Sequence, residues 1–77
     1  MTKLDEIKVH VDRLRITGDI LKTARRQFDS EEWRDLLDCA VLTNEEAATY
    51  IAFADGKVPY EVVVGIDLKR LKHGESQ

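Results

Sequence analysis

Apolar residues at Leu4, Ile7, Val11, Leu14, Leu21 and Phe28 open this chain, and Gly18 and Arg25 stand in the places of two more. The steps alternate three and four residues, as they do along one side of a helix. The seam predicts a single helix over 3–27, ~37 Å long at about 1.5 Å per residue. Gly18 either breaks that helix near Thr17 or admits a second backbone. The reading adopted is one helix, with a bend allowed at Gly18. Val9, Ile16 and Ile20 add a second apolar edge, which implies more than one neighbour.

Nothing else in the chain matches that helix in length. Asp29 or Ser30 can start a second helix, with Glu31 and Glu32 in its first turn. Trp33, Leu36, Leu37 and Ala40 give it an apolar face, and it is expected over Ser30–Asp38. Thr43 caps a third helix, and Glu46 closes a capping box. Ala47, Ala48, Ile51 and Ala54 then share a face, with Tyr50 and Phe53 beside them, and Gly56 suits a left-handed terminator. This helix is expected over Asn44–Ala54. Short apolar connector residues, Cys39 to Leu42, join the two, which gives the outline of a helix-turn-helix.

Pro59 suits a first helical position. Val62, Val63, Val64 and Ile66 have strand propensity. Tyr60, Val63, Val64, Leu68 and Leu71 also fit a helical face, and a lone strand would lack a partner. A helix over Pro59–Lys72 is therefore expected, with residues 73–77 as a flexible tail. The fold class is all-α: one domain over 1–77, a small bundle of about four helices with a helix-turn-helix-like core. Trp33, Leu36, Ala47, Ile51 and Leu68 are expected to meet in that core. A second helix of about nine residues spans only ~14 Å. The long seam is therefore expected to pair with a second copy through Leu4, Ile7, Val11, Leu14, Gly18 and Leu21, the alternative being that a host partner occupies it.

At 77 residues, a chain buries about 60% of its unfolded surface, so a few kcal/mol of net stability is expected. The only cysteine, Cys39, lies in an apolar run and is read as a small buried thiol in a reducing cytoplasm. The first twenty residues or so alternate charged and apolar groups and lack the apolar core of a secretory signal. No apolar run approaches the ~20 residues of a membrane span.

No constellation for catalysis, cofactor or metal is visible. His10, Cys39 and His73 fall in different elements without ligand spacing, and His10 is read as a solvated helix residue. Gly18, Gly56, Gly65 and Gly74 are isolated, so there is no phosphate loop. Binding remains. The third helix would present Asn44, Glu45, Glu46 and Thr49 to a partner. Two basic clusters, Lys22-Arg25-Arg26 and Lys69-Arg70-Lys72, would serve nucleic acid only if they shared a face. The formal net charge of -3 and the absence of Lys or Arg between Ala40 and Asp55 oppose phosphate-driven affinity.

The run LTNEEAATYI at 42–51 resembles the opening of excisionase-like and other small phage or plasmid helix-turn-helix domains. Gly56-Lys57-Val58-Pro59, Val64-Gly65 and Asp67-Leu68 resemble their wing and closing helix, so the likeness spans about Leu42 to Leu71. Those domains place a base-reading helix between the two stretches, and this chain has no room for one. Residues Ile20 to Gly56 also resemble phage and plasmid proteins in which a long helix leads into a Trp-containing helix and then an Ala-x-x-Tyr helix. The resemblance implies a mobile-element protein whose DNA-reading surface is absent or replaced. It would be a non-enzymatic protein that binds a host protein, as an inhibitor or modulator of the anti-CRISPR kind. The alternative is a dimeric helix-turn-helix regulator that binds DNA.

Overall fold

The computed structural model describes residues 3–75, with side chains as far as Arg70. They form four helices: α1 Lys3–Gln27, α2 Ser30–Ala40, α3 Asn44–Ala54 and α4 Tyr60–Glu75. There is no strand among the described residues, and Val62–Ile66 lie inside α4. Two boundaries differ from expectation. Helix α2 runs on to Ala40, and α4 carries through Glu75, so residues 73–75 are helical rather than a tail. Residues 76–77, Thr2 (a residue type that can cap a helix start) and the side chain of Leu71 lie outside the described set.

The helix ends follow local chemistry. Asp29 and Glu32 form a capping box at α2, with Glu32 N donating to Asp29 Oδ1 at 2.8 Å and Asp29 N to Glu32 Oε1 at 3.0 Å. Thr43 and Glu46 repeat the device at α3, at 3.1 and 2.9 Å. Helix α3 ends as its sequence asks. Gly56 takes φ 77°, Lys57 N donates to Ala52 O at 2.8 Å and Gly56 N to Phe53 O at 3.0 Å. Helix α2 ends on the same pattern of bonds, with Leu42 N to Leu37 O at 3.0 Å and Val41 N to Asp38 O at 3.2 Å. There the left-handed residue is Val41, at φ 56°. A β-branched residue is strained in that conformation, by about 1–2 kcal/mol.

Gly18 does not break α1. It lets α3 in: an added Cβ would collide with Tyr50 O and lie 2.8 Å from Ala54 Cβ. Leu14, Gly18, Leu21 and Ala24 are buried along α1, and Leu14 and Leu21 share one core with Ala47, Tyr50, Ile51 and Phe53 of α3. This corrects the expected dimer seam. Its central members are consumed by α3 of the same chain, so they cannot meet a second copy. Val11 is half-buried, and only Leu4 and Ile7 stay exposed.

Leu37, Leu42 and Val63 complete the core, and Trp33 and Leu36 pack on its edge. Trp33, expected in the core, is an edge residue. Its indole N–H donates to Asn44 Oδ1 at 2.9 Å and so ties α2 to the start of α3. Two further expectations fail for reasons of helical phase. Cys39 is exposed, because its neighbours Leu37 and Ala40 set the inward face and Cys39 points off it. Leu68 is 59% exposed because the residue before it, Asp67, takes the inward place.

The glycines give a paired test. Gly18→Ala gains about 1 kcal/mol of helix propensity but forces the α1–α3 contact apart, and should lose about 2–3 kcal/mol net. Gly65→Ala meets nothing within 4 Å and should gain about 0.5–1 kcal/mol. Thermal melts followed by circular dichroism should shift in opposite directions. A Gly18→Ala protein as stable as wild type would show that the close crossing is absent.

Candidate functional site

Asp67 is the one buried charged residue of the described core, 5% exposed. An unpaired carboxylate there would cost several kcal/mol. Three side chains from three helices meet that cost. Tyr50 Oη donates to Asp67 Oδ1 at 3.0 Å, Arg70 Nη2 donates to the same oxygen at 3.3 Å, and His10 Nε2 lies 3.1 Å from Oδ2. A carboxylate only accepts, so the His10 nitrogen facing it carries the hydrogen. In the neutral ring His10 Nδ1 then accepts from the Tyr60 hydroxyl, at 2.8 Å. Arg70 also lies over the Tyr50 ring, 6.0 Å from its centroid.

His10 is therefore no solvated residue. It fastens α1 to α4 through partners 50 and 57 positions away. One signal could have found the site. Asp67 falls four residues after Val63 and seven after Tyr60, at an inward position of the helix, where a charge needs partners. Tyr60, His10 and Asp67 have the order of a nucleophile, base and orienting carboxylate. Three surface grooves are lined by other residues, and none includes His10, Tyr60 or Asp67. The network leaves no buried side-chain nitrogen or oxygen without a partner among the described residues. Burial above all, and then the charge and hydrogen bond of Asp67, push the Tyr50 phenol far above the usual tyrosine range.

The partner-facing candidates on α3 are largely occupied within the chain. Asn44 accepts the Trp33 N–H, Glu46 closes the capping box, and the Thr49 hydroxyl donates to Glu45 O at 2.9 Å. Glu45 keeps an exposed carboxylate. The basic candidates divide. Lys22 Nζ lies 2.8 Å from Asp55 Oδ1, holding that carboxyl below the usual carboxylate range, and Arg70 is held by Asp67. Arg25, Arg26 and Lys69 are exposed, and the side chain of Lys72 lies outside the described set.

Charge is distributed unevenly. Between Asp29 and Asp55 the chain has eight acidic residues and one basic residue, Arg34. Glu31, Asp35 and Asp38 follow one another at helical spacing on α2, all exposed. Where α2 ends, a groove of about 370 Å³ opens between Leu37, Asp38, Val41 and Leu42 on one side and Lys69 and Arg70 of α4 on the other, with Glu46 of α3 beside it. Among the described residues no group of three or more His, Cys, Asp or Glu side chains could hold a metal ion, and no helix is long and apolar enough to cross a membrane.

The Asp67 network predicts two stability effects. Asp67→Ala orphans the fully buried Tyr50 hydroxyl and should cost about 3–5 kcal/mol. Tyr50→Phe should cost about 1–2 kcal/mol and change the alkaline limb. The folded phenol titrates above the unfolded value of about 10. Its contribution is therefore present below pH ~10 and drains away as pH rises beyond it. Melting temperatures between pH 9 and about 12 should fall less steeply in Tyr50→Phe than in wild type. Parallel slopes would remove the buried phenol from the account.

Compared with known proteins, the chain matches no family model, no curated protein and no solved structure.

Proposed function

We infer that this protein acts without catalysis, by covering a surface of another protein with the acidic face of α2 and α3. One observation carries the reading: α2 and α3 together carry six acidic residues, Glu31, Glu32, Asp35, Asp38, Glu45 and Glu46, and one basic residue, Arg34. Such a face repels phosphate backbones and attracts basic protein surfaces. The chemistry around it agrees. The polar groups that could be taken for a catalytic relay spend their hydrogen bonds on holding α4 against α1 and α3. Two of the basic residues a DNA-binding role would need, Lys22 and Arg70, are engaged by Asp55 and Asp67.

The finer role is a small inhibitor or modulator of a larger host complex, of phage or plasmid type. It rests on the likeness of Leu42 to Leu71 to mobile-element domains. A reducing cytoplasm suits the exposed Cys39 thiol.

Charge reversal tests the reading. Glu31, Asp35 and Glu45 are exposed and outside both capping boxes. A Glu31→Lys, Asp35→Lys, Glu45→Lys variant should keep wild-type helicity and lose the partner that immobilised wild type retains from a bacterial lysate, read by mass spectrometry. A 30-base-pair duplex should show no retardation with wild type at physiological salt. Duplex binding that falls steeply with salt would instead establish the DNA-binding alternative.

A further inference from the structure

We propose that the groove at the end of α2 is the docking point within the acidic face. Its occupant is a basic amphipathic segment of the partner, with an apolar side chain seated on Val41 and Leu42 and Lys or Arg groups against Asp38 and Glu46. The inference rests on the protein-binding reading above and adds the location and the chemistry of what binds.

Two residues of the groove break local rules without an internal gain. Val41 occupies the left-handed position that ends α2, and its φ of 56° is the one positive value at a non-glycine residue among those described. Gly56 fills the equivalent position of α3. Val41 does not recover the strain by packing, since 42% of it is exposed. Asp38 lies in the last turn of the same helix, where the macrodipole disfavours negative charge, and that turn has no basic residue. Asp55, the acid that follows the last residue of α3, has Lys22 at 2.8 Å. Asp38 has no such salt bridge among the described residues. Departures of this kind gather where a surface is kept for function rather than stability.

Charge complementarity chooses the occupant. Asp38 and Glu46 sit at the groove, and the flanking helices add Glu31, Asp35 and Glu45. On the opposite wall Arg70 is committed to Asp67, which leaves Lys69 as the one opposing charge among the described residues. Leu37 and Leu42 line the groove with the exposed Val41, so an incoming apolar side chain meets apolar groups there. At about 370 Å³ the groove has room for a few side chains rather than a folded domain.

The probe is a 14-residue helical peptide with Leu at i, i+3 and i+4 spacing and Lys elsewhere. Peptides with Leu changed to Ser, or with Lys changed to Glu, serve as controls. The Lys/Leu peptide should shift amide resonances of residues 37–46 and 69–70, and both controls should bind at least tenfold more weakly. Asp38→Lys puts a favoured charge at the helix end, so it should melt no lower than wild type while weakening the peptide at least tenfold. Val41→Gly should also weaken it at least tenfold, and Lys69→Ala should strengthen it. The inference is overturned if Asp38→Lys binds the peptide as wild type does, or if the Ser control binds equally well. It is also overturned if the shifts map to Glu31 and Asp35 instead, or if the Lys/Leu peptide does not bind. The acidic-face reading would survive each of these results, because it stands or falls with the charge-reversal capture.

Discussion

The close approach of α3 to α1 at Gly18 is the contact on which the rest of the bundle depends. A long helix in a small protein must be covered along its length, and short helices do this only if they come in close. Gly18 removes the side chain that would hold Tyr50 and its turn away, and Ala47 and Ala54 keep the facing side of α3 slim. The ring of Tyr50 is thereby driven inward until it is wholly buried. The seam that looked suited to a second copy is filled from within the chain, at the cost of a glycine inside a helix.

Burying Tyr50 creates the next requirement. Its hydroxyl needs a partner, and Asp67 supplies an acceptor. Asp67 in turn needs donors, and His10 and Arg70 supply them. Helix α4 contributes few buried apolar side chains among the described residues, with Val63 the one fully enclosed. Its attachment relies on this polar network, which is stabilising only while every member is satisfied. An apolar contact between α1 and α3 thus dictates a polar one at α4. The polar contact fixes one orientation, because a rotated α4 would strand the Asp67 carboxylate.

Local signals were legible in the sequence, and distant pairings were not. The capping box at Thr43 and Glu46, the left-handed Gly56 and the bounds of α1 and α3 each depend on residues within a few positions of one another. They formed as read. The ambiguity of Val62 to Ile66 resolved to helix because no second strand exists among the described residues to pair with it. Cys39 lies in an apolar run yet points off the inward face, and Leu68 shares a helical phase with Val64 and Leu71, whereas the inward face centres on Val63 and Asp67. His10 looked solvated because its partners come from the far end of the chain. The uneven charge of α2 and α3 was visible only in outline, as a gap in Lys and Arg. The fold brings two of its acids, Asp38 and Glu46, to one groove, across from Lys69 and Arg70 of α4.

Val41 and Gly56 make a direct comparison within one molecule. Both end a helix with the same pair of backbone hydrogen bonds and in the same left-handed region. At Gly56 the chain uses the residue that region favours. At Val41 it keeps a branched apolar side chain, part of it in water, beside an acid that the helix end also disfavours. Stability alone would select glycine at the first position and a basic or neutral residue at the second. Both departures line one groove, and the acidic surface around that groove makes the same demand of a partner: positive charge around an apolar contact.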